Sequence, residues 1–361
     1  MSVHGRRAEA WTRAALQPPR AHGAPLPPAQ FKAVPEDFHV EEQLSFEPSG
    51  TGPHWLLRVE KRTANTRWVA AEIARLAGVP SSDVGYAGLK DRHAVAVQWF
   101  SVPSLATAAE FWLNVRTPEF KVLDARANAR KLKRGALSGN RFRIRLRQVT
   151  WSREQLDLKL ETLRAHGAPN YFGPQRFGRE GYNLDRVAAW VQSGEAPRGR
   201  AERGFALSAA RSLVFNAVLA RRVEAGDWSQ LAPGDLASLE GSGSHFSVAA
   251  VDDELRRRLN TFDIHPSGPL WGRGLPPSQG QALQHELEAS REFAAVTELL
   301  AAQGLSQERR ALRCAIRELS AEHDGGTLTL SFSLGRGQFA TAVLREICEF
   351  DGVPELDADE D

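Results

Sequence analysis

Residues 84–102 read VGYAGLKDRHAVAVQWFSV, and this stretch carries the most information about the fold. Two apolar runs, VGYAGLK and AVAVQWFSV, predict two β-strands, and the residues KDRH connect them. Short connections present side chains at the edge of a sheet, where catalytic groups often lie. Asp91 stands in this connection between Lys90 and Arg92, and nearby positive charge favours an ionised carboxylate. Such a carboxylate can act as a nucleophile or a base, although an ordinary polar turn has the same composition.

The residues before this stretch predict more strands and one helix. The short apolar runs FKAV, FHVEEQL and HWLLRVEK begin at residues 31, 38 and 54 and are separated by turn residues. A helix is predicted to begin near Asn65 and Thr66, either of which can serve as its N-cap, and to end at Gly78 with Pro80. Residues 1–28 are rich in Pro, Ala and Arg, so we expect them to form a mobile arm.

The residues after this stretch change from strands to helices and back. Helices are predicted over residues 152–166, 183–193, 206–225 and 280–303, whereas residues 226–279 have an irregular pattern rich in Gly, Ser and Pro. The run TLTLSFSL at 327–334 predicts a strand, and a helix follows from Gln338 to about Phe350. Strands at both ends and helices in the middle indicate an α+β domain that is interrupted by an insertion.

The distribution of charge points to a polyanionic partner, although the formal net charge is only +2. Residues 1–180 contain 28 basic and 17 acidic side chains, whereas residues 181–361 contain 18 basic and 27 acidic ones. The last eleven residues, DGVPELDADED, include six acids and no base. Charge asymmetry between the halves of a chain is typical of proteins that bind nucleic acid.

The basic residues concentrate in ARANARKLKRGALSGNRFRIRLR, residues 125–147, which contains nine bases and no acid. Its last part alternates Arg with apolar residues, which predicts a strand with all four guanidinium groups on one face. Same-face positions lie about 7 Å apart, near the phosphate spacing of an extended nucleic-acid strand. A solvated edge strand is the alternative. The candidates for RNA backbone contacts are Lys131, Lys133, Arg134, Arg141, Arg143, Arg145 and Arg147.

Several classes of protein are disfavoured by composition. No apolar run reaches the 18 residues of a membrane-spanning helix, and the N-terminus lacks the apolar core of a signal peptide. Cys314 and Cys348 are the only cysteines, too few for a disulfide framework or a Cys-rich zinc site. We therefore expect a protein of the reducing cytoplasm that needs neither a membrane nor an obligate protein partner.

Five motifs in order along the chain resemble those of the tRNA pseudouridine synthase D (TruD) family. They are GYAGLKDRHAVAVQWFSV, KLKRGALSGNRF, PNYFGPQRFG, LSAARSLVFN and GRGQFATAVLRE, and the resemblance runs from about Phe31 to Ile347. It implies that the chain converts uridine 13 of certain tRNAs to pseudouridine, without a cofactor or a metal. The family's nucleophilic Asp lies in the AGxKD motif and corresponds to Asp91. Lys32 matches a lysine that is implied to help fix this carboxylate.

The resemblance also implies a set of substrate contacts. Asn140 and Phe142, in NRF, match residues near the target base, and Phe142 is implied to stack on it. Phe38, in PEDF, and Phe339, in GQFAT, match further contacting positions. By alternation with the Arg residues, Phe142 is equally compatible with a core position opposite the Arg face.

The fold that the resemblance implies is an α+β pseudouridine synthase fold with a mixed, mainly antiparallel sheet and an inserted α/β TRUD domain. We expect a catalytic domain of residues 29–166 plus 314–350 and an insertion of residues 167–313 that closes over the cleft. The mobile arm of residues 1–28 and an acidic tail of residues 351–361 flank them.

Two other functions are compatible with the same residues. An RNA-binding protein without catalysis uses the basic strand and the aromatic rings and has no need of Asp91. A phosphotransferase with an Asp nucleophile needs Mg²⁺ and usually a second carboxylate nearby, and residues 84–102 contain no acid except Asp91.

Overall fold

The computed structural model describes residues 3–104 and 108–351. The predicted acidic tail therefore lies, from residue 352 onward, outside the described residues. The helices are α1 (Val3–Leu16), α2 (Thr66–Ala77), α3 (Ala109–Leu113), α4 (Arg153–His166), α5 (Tyr182–Ser193), α6 (Arg200–Ala225), α7 (Asp253–Asn260), α8 (Gly280–Glu292), α9 (Ala294–Ala302) and α10 (Ala340–Ile347). The strands are β1 (Leu26–Phe31), β2 (Phe38–Leu44), β3 (His54–Arg62), β4 (Gly85–Tyr86), β5 (Val95–Pro103), β6 (Phe120–Asn128), β7 (Leu137–Arg147), β8 (Ala168–Pro169), β9 (Leu236–Leu239), β10 (His245–Ser247), β11 (Ile264–Leu270), β12 (Glu308–Ala311), β13 (Arg313–Cys314), β14 (Arg317–Asp324), β15 (Thr327–Gly335) and β16 (Cys348–Asp351).

One large sheet organises the two ends of the chain. Its central order is β14-β15-β7-β2-β5-β3-β6, while β1 pairs with β7 and β16, and β4 pairs with β5. The pairs β2/β5 and β1/β16 are parallel and the other pairs are antiparallel. The α+β class with a mixed, mainly antiparallel sheet is thereby confirmed.

Strand β5 lies inside this sheet, between β2 and β3, and most of its side chains are apolar. Eight of its nine residues are buried, as expected for a strand covered on both faces. The preceding run, VGYAGLK, forms a strand only over Gly85–Tyr86, and residues 87–94 are a loop that ends at β5. The two predicted strands are therefore present, but the first is much shorter and the connection is longer.

Strand β7 shows the predicted alternation. Phe142, Ile144 and Leu146 are buried, while the four Arg residues between and beside them are exposed or partly exposed. The apolar face packs with α4 and α10 into one hydrophobic core, the sheet core, which contains Leu160 and Val343. The Arg residues therefore lie on the opposite face of the sheet.

A second hydrophobic core, the helical core, surrounds the long helix α6. It includes Leu213 and Phe215 of α6 together with side chains from α5 and α9. Residues 226–279, expected to be irregular, form α7 and most of a sheet of order β10-β9-β11-β12. That expectation was wrong because β11, with sequence IHPSGPL, contains Pro266 and Pro269, residues that normally count against a strand.

The N-terminal residues are not a mobile arm in the described part of the chain. Trp11 and Ala15, four residues apart, lie on one face of α1 and are buried in the helical core. Trp11 packs against Phe293, with 6.4 Å between ring centroids. Ala and Arg favour helices, and Pro18 and Pro19 follow where α1 ends. At the other end, the last helix stops at Ile347, and residues 348–351 pair with β1 rather than extending it.

Neither a membrane segment nor a metal cluster is present in the part of the chain that is described. Across residues 3–104 and 108–351, each helix is too short or too polar to traverse a bilayer. Over the same residues, no three His, Cys, Asp or Glu side chains come together as they would around a metal ion.

Candidate active site

A cavity of about 1140 Å³ lies where the large sheet faces the helices of the second core. It exceeds the 300–1,000 Å³ that is usual for small-molecule sites, so a ligand larger than a single metabolite fits. The sheet side of the wall is formed by Phe38, Val40, Leu137, Asn140, Phe142 and residues 88–91 and 336–341. The helical side is formed by Gln175, Tyr182, Asn183, Asp185, Arg186, Ala201, Glu202, Phe205 and residues 178–180.

Asp91 reaches this cavity from the loop between β4 and β5. Its side chain is 23% exposed, and Lys32 forms an ion pair with its Oδ2. The backbone N–H of His93 donates a hydrogen bond of 2.8 Å to Oδ1. Both carboxylate oxygens therefore have a hydrogen-bond donor, while part of the group remains open to the cavity.

Lys32 has an unusual backbone conformation. It follows β1 with φ of 54°, in the left-handed region that few residues other than Gly adopt. This turn directs its side chain across the sheet to Asp91, 59 residues further along the chain. The ammonium also lies 4.3 Å from the centroid of the Phe38 ring and 5.5 Å from that of Phe31. Strain of this kind often marks functional sites, where the surrounding packing maintains it.

Lys90, the neighbour of Asp91 in the sequence, has a different partner. Its Nζ lies 2.5 Å from Oε2 of Glu42, and both side chains are almost completely buried. The lysine of the KDRH connection therefore pairs with Glu42, whereas Lys32 pairs with the Asp91 carboxylate. Proximity in the sequence indicates Lys90 as a charged neighbour of Asp91, and the ion pair with Glu42 corrects this.

The aromatic candidates lie together at the floor of the cavity. Phe38 and Phe142 border the cavity, and their ring centroids are 5.9 Å apart. Phe142 also packs against Phe332, at 5.5 Å, and only 6% of its surface is exposed. Phe142 is thus both a core residue, as the alternation allows, and part of the cavity wall, and its stacking on a base stays a prediction.

Asn140 and Phe339 complete the predicted set. Asn140 lies two residues before Phe142 on the same strand face, and its Oδ1 accepts no hydrogen bond from the described protein atoms. Phe339 precedes α10 and is partly exposed, with its ring centroid 6.1 Å from that of Phe172. Lys32 and Asp91, joined by their ion pair, thus share one site with Phe38, Asn140, Phe142 and Phe339.

The predicted basic residues do not share that site. Arg141 and Arg147 pair with Glu318, at 3.0 Å, and Asp37, at 2.8 Å, and the hydrogen bond to Asp37 raises the pKa of Arg147. Arg143 and Arg145 lie on the same outer face, because they share the parity of Arg141 on β7. None of the four lines the cavity.

The three basic residues before β7 lie in the segment between β6 and β7. Arg134 donates a hydrogen bond of 2.9 Å to the Tyr86 hydroxyl and packs over that ring at 4.1 Å. Lys131 donates to the carbonyl of Ser82, and Lys133 is exposed. RNA contact by these residues and by the Arg strand stays a prediction.

The helical side of the cavity contains residues that the sequence did not single out. Tyr182, the first residue of α5, is 55% exposed, and the Arg186 guanidinium lies 4.6 Å from its ring centroid. Arg186 is held in turn by Glu202, at 2.9 Å. The sequence around residue 178 is rich in Gly and aromatic residues, which indicates a functional loop, but it does not specify which ring faces the cavity.

Comparisons with known proteins agree on one family. The family model described as tRNA pseudouridine synthase D (TruD) matches residues 27–198 and 203–347. The tRNA pseudouridine synthase D of Nitrosococcus oceani is 46% identical over 332 residues, covering 90% of this chain and 91% of the relative. That of Methylococcus capsulatus is 46% identical, covering 92% and 94%. A crystal structure of a TruD protein from Methanosarcina mazei has the same fold, with a TM-score of 0.71 at 21% identity, over 92% of this chain and 96% of that one.

Proposed function

The chain belongs to the tRNA pseudouridine synthase D family, and on this basis we propose that it isomerises uridine 13 of tRNA to pseudouridine. The observation that carries the proposal is the Asp91 carboxylate, which is paired with Lys32 and partly open to a cavity with aromatic walls. We assign Asp91 the role of nucleophile. The motif alone is compatible with a polar turn, whereas a turn aspartate has no need of a strained lysine from a distant strand.

The reaction breaks the bond between N1 of uracil and C1′ of the ribose, turns the base and forms a bond from C1′ to C5. The proton on C5 is released to solvent and N1 gains one, so no oxidant or reductant is required. The Asp91 carboxylate can attack C1′, attack C6 of the base, or remove the C2′ proton on the way through a glycal. Each of these routes requires a charged carboxylate in contact with the nucleotide.

The cavity offers the contacts that a flipped uridine requires. A base leaves its stack at a cost of a few kcal/mol, which pocket contacts offset. We assign Phe142 and Phe38 as the aromatic surface for uracil and Asn140 as the amide that hydrogen-bonds its polar edge. Phe339, at the start of α10, contacts the nucleotide from another wall. Lys32 holds the carboxylate in place rather than reacting.

We further propose that residues 29–166 plus 314–350 form the catalytic domain and residues 167–313 an insertion that closes over the cleft. The separation of the sheet core from the helical core supports this division. Lys133 and Arg134 contact RNA phosphates beside the β6–β7 segment, and the Arg strand contacts phosphates at the outer face of the sheet, away from the reacting base.

The experiment that tests the activity uses tRNA transcripts that contain uridine tritiated at C5, because pseudouridine formation releases that tritium. We expect release by the wild-type chain and none by Asp91→Asn, while tRNA binding persists. Release by the Asn variant would remove Asp91 from the nucleophile role. Carbodiimide labelling of the product, read by reverse transcription, locates the modified base. A stop at another uridine contradicts position 13 alone, and absence of any product favours an RNA-binding protein without catalysis.

A further inference from the structure

Lys61 lies beneath the loop that carries Asp91, and its side chain is completely buried. It belongs to β3, next to β5 in the sheet, and is directly opposite Ala96 of that strand. Its Nζ donates hydrogen bonds to the backbone carbonyls of Ala64 at 2.6 Å, Asp91 at 2.9 Å and Lys90 at 3.2 Å. The sequence had placed Lys61 only at the end of a predicted strand.

The three acceptors match the donors of a charged side chain. A lysine ammonium has three N–H donors and a neutral amine has two, so the charged form has a donor for each of the three carbonyls. Burying an ammonium costs several kcal/mol unless its donors are satisfied. Here they are satisfied by the backbone of the loop, and bonds from a charged donor are about twice as strong as neutral ones.

Neutral side chains hold the same loop from other directions. The backbone N–H of Lys90 donates to Oγ1 of Thr66 at 3.1 Å, and that hydroxyl donates to Oε1 of Gln98 at 2.9 Å. The Gln98 amide in turn lies 3.4 Å from the carbonyl of Gly88. Thr66 and Gln98 therefore bind residues 88 and 90, whereas Lys61 is the side chain that binds the carbonyl of residue 91 itself.

We propose that Lys61 is a positioning residue for the reaction: its buried ammonium fixes the carbonyls of residues 90 and 91, so that the Asp91 carboxylate faces Lys32 and the cavity. Lys61 does not touch the substrate, because it is buried beneath the loop and does not line the cavity.

The test measures single-turnover tritium release at saturating enzyme, together with the Kd for tRNA. Lys61→Met keeps the length of the side chain and removes the ammonium. We expect its rate to fall by about 100-fold, the typical effect of a displacement near 1 Å at a reacting group, with a Kd within about twofold of wild type. Lys121→Met is the matched control, since Lys121 lies on the neighbouring strand β6, is partly exposed and pairs with Glu60. It should retain the wild-type rate.

A second variant separates charge from folding. Lys61→Ala removes three carbons and the ammonium group, and added n-propylammonium supplies the same atoms. The added compound should therefore restore part of the rate, whereas n-propanol, which has a similar size and no charge, should not. Circular dichroism gives the folded fraction by which each rate is divided. If the two compounds change the rate of Lys61→Ala equally, or if neither changes it, the proposal is overturned. A wild-type rate in Lys61→Met also overturns it.

This inference rests on the proposed function, and the two can fail separately. A wild-type chain that releases no tritium contradicts the synthase activity, and the role of Lys61 falls with it. A wild-type chain that releases tritium no faster than Lys61→Met contradicts the role of Lys61 alone.

Discussion

Replacing Lys32 by Ala and by Gly separates the two properties that this residue combines, a strained backbone and an ion pair. Both substitutions remove the ammonium from Asp91, but only Gly relieves the conformation at φ of 54°. The left-handed region costs a residue with a Cβ about 1–2 kcal/mol. Gly loses about 0.4–1 kcal/mol more entropy on folding than Ala. The Gly variant should therefore be more stable than the Ala variant by roughly 0.5–1 kcal/mol, or about 1 °C in Tm for a chain of this length.

The two variants should lose the same activity. Opposite charges about 4 Å apart interact by about 4 kcal/mol at an effective dielectric constant of 20. The Asp91 carboxylate is 23% exposed, so solvent screening reduces this to about 2–3 kcal/mol. If that interaction holds the carboxylate in its reacting position, single-turnover tritium release falls by about 30- to 150-fold in both variants.

Gln148 offers a matched control, because it also has a positive φ, 57°, but is exposed beyond the end of β7. Gln148→Ala and Gln148→Gly should differ in Tm by a similar amount while both retain the wild-type rate. Equal Tm values for the two Lys32 variants, with a clear difference between the Gln148 variants, would refute strain at residue 32. A wild-type rate in either Lys32 variant would refute the role of the ion pair.

Three further changes test other parts of the site and fold. Phe142→Leu keeps an apolar side chain in the sheet core but removes the stacking surface. The rate of tritium release should therefore fall about tenfold, while the free energy of unfolding measured in urea falls by about 1 kcal/mol. A loss of stability with no loss of rate favours a purely structural role for the ring. Tyr182→Ala should weaken tRNA binding about fivefold or more in a filter-binding assay, whereas Tyr182→Phe, which keeps the ring, should bind normally. Trp11→Ala should lower the free energy of unfolding by about 3–5 kcal/mol if α1 is part of the helical core, and an unchanged value contradicts that packing.

The fold could be predicted from the sequence where local signals and tertiary packing agree. Helix α2 begins and ends as its caps indicate: the side chain of Asn65 accepts from the N–H of Arg67, and Gly78 adopts φ of 68°. Strand β7 follows its period-2 pattern for the same reason, since the buried face of the sheet fixes the register. Helix caps and period-2 alternation are determined by residues close together in the sequence, so they can be identified without knowledge of distant partners.

Prediction failed where distant packing overrides composition. Strand β11 forms despite two prolines because its residues are buried between β9 and β12, which supply partners on both sides. Helix α1 is held by Trp11 and Phe293, which are far apart in sequence. These partners cannot be identified from the local sequence, so composition alone predicts a mobile arm for residues 1–28 and an irregular structure for residues 226–279.

The place of Asp91 in the cavity wall and its pairing with Lys32 match the expectations from the sequence, whereas the partner of Lys90 and the position of Lys61 could not be predicted. Asp91 is identified by its motif, and the resemblance added Lys32 as the residue that fixes the carboxylate. The motif does not show that Lys90 is occupied by Glu42, or that Lys61 lies under the loop. Both facts depend on which face of β2 and β3 meets the loop, and therefore on the register of the whole sheet.

The period-2 pattern of β7, which is visible in the sequence, already places the Arg residues on the face opposite Phe142. The side chains of neighbouring residues in a strand point to opposite faces. If Phe142 contacts the reacting base, Arg141 and Arg143 therefore cannot contact the same base. Once Phe142 lines the cavity, phosphates next to the flipped uridine require cations from other segments. Arg336, before α10, and Arg186, on α5, both line the cavity. They approach from opposite walls, one from the sheet side and one from the helical side, so under the proposed function we expect the RNA strand that delivers the uridine to pass between the two cores.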